Sequence, residues 1–185
     1  MLLNNKEMCI LEEFAQDYSK KIYGREIAKK LKMNQKTASN ILTKLEKENI
    51  LKFSQEGRNK YYFLNKFNTN IKDILKIIEI NKKINFIKKY GKIKGLFEAL
   101  EKRCDGILII FGSYAKGTNT EKSDIDIFVM GEIEEIRDLE NLYNIEINLI
   151  KSSRNKFDKN ENIIKEIIEN HIILKGIGEF IELTW

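Results

Sequence analysis

Five consecutive apolar residues, Ile107-Leu-Ile-Ile-Phe111, stand between Gly106 and Gly112. A branched apolar run of this length, bounded by glycines, is the pattern of a buried strand. Ser123 to Met130 reads as a second strand, of alternating character. Side chains two apart on a strand share a face, so Asp124 and Asp126 lie together, about 6–7 Å apart, with Ile125, Ile127 and Val129 on the opposite face. The C-terminal half must therefore be organised around a sheet, and that sheet carries two carboxylates at one end.

The junction between these strands carries further chemistry. Gly112-Ser113 follows the first strand directly, and a strand turning into a short helix there offers backbone N–H groups and a hydroxyl to an anion. Gly117 is a second flexible point, followed by the polar loop Thr118 to Ser123. Paired carboxylates are hard oxygen ligands suited to Mg²⁺, which takes one or two of them together with substrate phosphates. With two ions, one activates the attacking oxygen and the other neutralises charge on a leaving pyrophosphate.

The run Gly112-Ser113-Tyr-Ala-Lys-Gly117, then Ser123-Asp124-Ile-Asp126, resembles the signature of the polymerase-beta-like nucleotidyltransferases, specifically their minimal type, over residues 104 to 175. The resemblance implies that Gly112 and Ser113 hold a nucleoside triphosphate, with Lys116 and Ser123 beside it. It also implies that Asp124 and Asp126 are catalytic and bind Mg²⁺. The remaining elements read as a helix at 133–144, a strand at 145–150 and a helix at 158–170. The family's third carboxylate belongs on that later strand, where two alignments stand open. In one, Glu146 faces the aspartates and serves as general base. In the other, Asn148 takes the position, since Leu149-Ile150 continue the family's apolar pattern, and Asn cannot be a base. His171, the single histidine, reads as a surface or capping residue rather than a ligand. Phe180, Ile181 and Trp185 are expected to pack on the core or on a partner.

The N-terminal half reads differently. Apolar residues at helical spacing place a helix over Glu7 to Ile22, a short one from Gly24, and a third from Gln35 to Glu48 capped by Asn34. Ala38, Ile41, Leu42 and Leu45 form the buried stripe of the third, and its other face is polar. Two strand-like runs, 50–53 and 60–64, flank a Gly57-containing connection. Residues 6 to 66 resemble a winged helix-turn-helix, whose third helix enters the major groove while the wing touches the backbone. By position this implies duplex-DNA contacts at Gln35, Lys36, Ser39, Asn40 and Lys44, with Arg58 and Lys60 on the wing.

Charge agrees with the division: residues 1–105 hold 24 Lys/Arg against 13 Asp/Glu, and residues 106–185 hold 9 against 15. A basic half suits phosphate backbones and an acidic half suits a cation-dependent site. Between them, residues 70–90 read as one long helix with a wide isoleucine stripe that needs a partner, so a homodimer is a candidate. The expected organisation is α+β: a winged helix-turn-helix at 1–67, a helical connector at 68–103 and a small mixed-sheet nucleotidyltransferase domain at 104–185. Two cysteines exclude a disulfide framework. With no membrane-length apolar stretch and no signal-like start, a cytoplasmic protein is expected. Three functions fit: transfer of a nucleoside monophosphate to an unknown acceptor, nucleotide sensing by a transcription regulator, and an antitoxin that modifies a partner protein.

Overall fold

A computed structural model describes residues 3–185. The chain divides into two units, one ending at Ile78 and the other Glu79–Trp185. In the first, Asn4 begins α1 (Asn5–Ala15) with a capping box. Its side chain accepts from the backbone of Lys6 and Glu7, and Glu7 reaches back to the Asn4 N–H at 3.0 Å. α1 is shorter than the sequence predicts. The chain leaves the helix at Gln16, and Ile22–Tyr23 form β1, a strand hidden in the sequence because it is only two residues long.

α2 (Gly24–Lys30) and α3 (Gln35–Lys47) follow, with Asn34 capping α3 as expected. Ala38, Leu42 and Leu45 are buried while Ile41 is only half-buried, so the α3 stripe is narrower than predicted. β2 (Leu51–Glu56) and β3 (Asn59–Leu64) form a hairpin longer than the expected 50–53 and 60–64, because a two-residue Gly57-Arg58 turn suffices. Gly57, at φ +61°, supplies the positive φ such a turn needs. β1 pairs with β3, giving a sheet of order β1-β3-β2. Three helices with this sheet make a winged helix-turn-helix architecture.

α4 (Ile71–Lys89) spans the boundary between the units. A 3₁₀ turn, Gly91–Ile93, leads to α5 (Lys94–Arg103) and then into β4 (Cys104–Phe111). The second unit continues with α6 (Gly112–Lys116), β5 (Ile125–Ile133), α7 (Arg137–Tyr143) and β6 (Ile147–Ser152). It closes with α8 (Asn162–Glu169), β7 (Ile172–Lys175) and α9 (Ile177–Thr184).

The sheet order is β6-β5-β4-β7, with β5 and β6 parallel and the other pairs antiparallel. One face packs Leu108, Ile110, Ile127 and Val129 against Leu96, Phe97 and Leu100. The other packs Ile107, Ile109, Phe111 and Phe128 against Ile164, Ile167 and Phe180. Burial on both faces explains why β4 shows no alternation. Phe180 and Ile181 belong to this core.

His171 is a capping residue, one of the two expected alternatives, but a buried one. It is 4 % exposed, not a surface residue. Its Nδ1–H donates to the Ile168 carbonyl at 2.8 Å, capping α8, and its Nε2 lies 3.3 Å from Oε1 of Glu79 on α4. Glu79 is fully buried, and Lys82 approaches its other oxygen at 2.8 Å.

Candidate nucleotide site

Strand pairing brings Gly112, Asp124, Asp126 and Asn148 together at one end of the second sheet. Antiparallel register sets Phe111 opposite Asp126, so the chain leaving β4 at Gly112 passes beside the Asp126 side chain. Gly112 has φ +63°, and a Cβ there would lie 2.9 Å from Asp126 Cγ and overlap its carboxylate oxygen. Only glycine lets the strand-to-helix turn and the carboxylate occupy this space. Ser113 follows in the first turn of α6, with its carbonyl accepting from Thr118 N–H at 3.0 Å.

Parallel register sets Asn148 beside Asp126. Its Nδ2 donates to Asp126 Oδ1 at 3.1 Å and reaches Asp124 Oδ2 at 3.5 Å. Asp124 precedes β5, whose first residue is Ile125, rather than lying within the strand. Glu146 likewise precedes β6; its carbonyl accepts from Ile125 N–H, and its side chain is exposed. Among the described residues no three carboxylate, histidine or cysteine side chains converge. The centre is two aspartates and an amide.

Beside it opens a polar groove of about 820 Å³ lined by Ser123, Asp124, Arg137, Glu140, Glu146 and Asn148, among others. Glu146 therefore faces the same groove as Asp124, displaced from Asn148. Glu140 is spent on structure, its carboxylate accepting from Ile147 N–H at 2.8 Å. Ser123 closes the loop ahead of the aspartates by accepting from Thr120 N–H at 2.9 Å. Lys116 lies on α6 but pairs with Glu166 at 2.6 Å.

Sequence reasoning missed the support behind this loop. Tyr90, just past α4, donates its hydroxyl to the Asn119 side-chain oxygen and lies 3.5 Å from the Tyr114 carbonyl. Its ring packs on Tyr114 at 5.1 Å. Burial, first, pushes the Tyr114 phenol above its ordinary value. No local pattern marks Tyr90, which is distant in sequence from both partners.

In the first unit, Gln35, Lys36, Ser39 and Asn40 are exposed on α3, and Arg58 occupies the wing tip. Lys44 is engaged instead with Glu7 at 2.6 Å and Glu48 at 3.7 Å. Burial raises the Glu7 carboxyl, but hydrogen bonds from Lys44 and the Asn4 backbone together hold it below its ordinary value. Lys60 sits over the Phe53 ring at 4.0 Å.

The nucleotidyltransferase domain family matches residues 91–177, the stretch that carries the glycine turn, both aspartates and Asn148. A candidate protein adenylyltransferase of Methanocaldococcus jannaschii is 44 % identical over 45 residues, which is 23 % of this chain and 45 % of that protein. The match thus spans under half the length of that relative. Among solved structures, the homodimeric winged helix-turn-helix DNA-binding domain of a Mycobacterium bovis protein is 23 % identical, covering 42 % of this chain and 67 % of its own, at a TM-score of 0.35. A toxin-antitoxin complex with AMP-PNP is 19 % identical over 56 % of this chain and 78 % of its own, also at 0.35. The family match lies wholly within the C-terminal unit. No described helix is long and apolar enough to cross a membrane.

Proposed function

We propose that the protein transfers a nucleoside monophosphate from a Mg²⁺-bound NTP to an acceptor hydroxyl, and that its winged helix holds it on double-stranded DNA. The observation that carries the enzyme reading is the convergence of Gly112, Asp124 and Asp126 at the end of paired strands.

The donor set fits a divalent cation. Two carboxylates stand close enough for one amide to reach both, and the absent Cβ of Gly112 leaves room at Asp126. Asp124 and Asp126 would hold the ion, which supplies charge neutralisation on the phosphates and a lowered pKa for the attacking hydroxyl. Gly112 and Ser113 seat the triphosphate where the chain turns out of β4, and Tyr90 keeps that loop in place. The acceptor enters along the polar groove, where Glu146 takes its proton as the O–P bond forms and pyrophosphate leaves. Lys116 serves at the edge of the triphosphate only by leaving Glu166. A protein acceptor suits the relative's name, and a modifying antitoxin is one form of that reading.

A nucleotide sensor is the second reading, and one contact favours it: the neutral amide of Asn148 occupies the place where a third carboxylate would complete the centre. The DNA reading is supported by the exposed α3 face and the basic N-terminal half.

Incubation with each α-labelled NTP, Mg²⁺ or Mn²⁺, and nucleic-acid or protein acceptors tests the reading. Transfer abolished in Asp124→Asn/Asp126→Asn is expected. NTP binding with no transfer to any acceptor assigns the sensor role instead. A duplex mobility shift that weakens with salt and with Lys36→Glu is expected, and its absence on all duplexes at low salt removes the DNA reading.

A further inference from the structure

Phe67 is 89 % exposed, the highest value among the exposed large apolar side chains of the described residues. It is not on a loose tail. Asn65, 1 % exposed, donates its amide to Asn49 and accepts the Phe67 N–H at 3.2 Å, so a hydrogen-bonded turn presents the ring to solvent. An aromatic ring held out by such a turn offers a π-face on which a planar group can stack.

Its surroundings are cationic. Phe67 borders a pocket of about 310 Å³ whose lining includes Tyr18, Lys21, Lys52, Phe63 and Lys66 and no carboxylate. Lys52 lies 5.8 Å from the centre of the Phe67 ring, and Lys21 lies 5.6 Å from that of Phe63. Among the described residues, neither Lys21 nor Lys52 has a carboxylate partner. Strand register adds a structural reason. Lys52 pairs with Phe63 on one face of the wing, whereas the neighbouring Phe53 pairs with Tyr62 on the other. Tyr62 and Lys60, from that other face, line a pocket with Gln35 and Ser39 of α3. The Lys-Phe pocket is thus separated by the sheet from the face proposed to meet duplex DNA.

We propose that this pocket binds an unpaired nucleotide of a single-stranded nucleic acid, with the base stacked on Phe67 and the phosphate against Lys21 and Lys52. Aromatic platforms beside unpaired cations recognise single strands in this way, because every base has a π-face and every linkage carries a charge. The volume sits at the small end of ligand pockets, about 300–1,000 Å³, which is room for one nucleotide. A duplex presents no free base face to such a ring. An acidic peptide matches the lysines but leaves the exposed ring without a planar partner.

The test is fluorescence anisotropy of a labelled oligothymidylate with the full chain, titrated at low salt and at stepped salt. Binding by the wild type is expected, with Phe67→Ala weaker by about tenfold or more and Phe67→Trp close to wild type. Lys21→Glu/Lys52→Glu should flatten the salt dependence. Lys36→Glu, on α3, should leave oligothymidylate binding intact while weakening duplex binding, which separates this inference from the DNA reading above. The proposal is overturned if the wild type does not bind the oligonucleotide at low salt, if Phe67→Ala binds as the wild type does, or if Lys36→Glu removes the binding equally. It is also overturned if Phe67→Ala instead changes the sedimentation of the protein alone, which makes the ring a contact between copies.

Discussion

Replacing Asn148 by Asp converts the two-carboxylate centre into one of three. Asn148 now donates to Asp126 at 3.1 Å and reaches Asp124 at 3.5 Å. The substitution removes these bonds and sets a negative charge against two others. Like charges about 4 Å apart repel by about 1 kcal/mol in a water-like medium, and the open groove places the site near that limit. Two such pairs and the lost donor together destabilise the cation-free protein by about 2–4 kcal/mol. For a chain of this size each kcal/mol moves the melting temperature by about 2–4 °C, so the expected drop in EDTA is about 4–16 °C. A divalent cation should reverse it, because the new oxygen is a ligand. Thermal unfolding in EDTA and through a Mn²⁺ titration reads both effects, and label transfer should rise in parallel. A variant that melts with the wild type in EDTA, or that gains no more from Mn²⁺, refutes the parallel register that sets residue 148 beside Asp126.

Gly112→Ala should cost about 1–2 kcal/mol of stability from its positive φ. It should weaken Mn-ATP binding by more than about tenfold in calorimetry, since the methyl displaces Asp126; unchanged affinity would count against this geometry. Glu146→Gln should leave ATP affinity intact and slow transfer by about 100-fold, whereas an equal rate would place the base elsewhere. Acid should unfold the N-terminal unit early. Glu7 sits below its ordinary value of 4.5 in the folded state. The stability it contributes is complete above that value and is lost as pH falls through the lower folded one. Urea unfolding across this window should steepen with acid in the wild type and flatten in Glu7→Gln; parallel curves would assign the acid sensitivity to other groups.

The second sheet was legible because its residues encode both position and partner type. An unbroken apolar β4 and an alternating β5 marked the paired strands, with Asp126 in β5 and Asp124 just ahead of it, and of the two alignments left open for the later strand the register sets Asn148, not Glu146, beside Asp126. Local patterns failed where structure is made by pairing between distant segments. β1 is too short to show a period, and the hairpin is longer than its apolar content because Lys52, Gln55 and Glu56 remain solvated while their backbones pair. Lys44 looked like a solvent-facing cation, since nothing in the α3 sequence reveals that the buried Glu7 of α1 lies opposite. Tyr90 and the Phe67 turn escaped for the same reason.

Glu79 and His171 extend this lesson into energetics. Glu79 lies within the isoleucine-rich α4, and the structure removes it wholly from solvent between His171 and Lys82. Burial raises its carboxyl, but the charges of His171 and Lys82 outweigh that and hold it below its ordinary value, so it stays ionised. Losing one partner of a buried ionised group costs about 3–5 kcal/mol, whereas replacing the group and its partner by apolar side chains is often neutral or stabilising. His171→Phe keeps the packing against Phe180, whose ring centre lies 5.0 Å from that of His171, and deprives Glu79 of a partner. It should therefore be strongly destabilising. Glu79→Leu/His171→Phe should recover most of that loss, giving a coupling energy of about 2 kcal/mol or more in a double-mutant cycle by urea unfolding. Additive losses would mean that the His171 contact to the Ile168 carbonyl, rather than its contact with Glu79, supplies the stability at this junction.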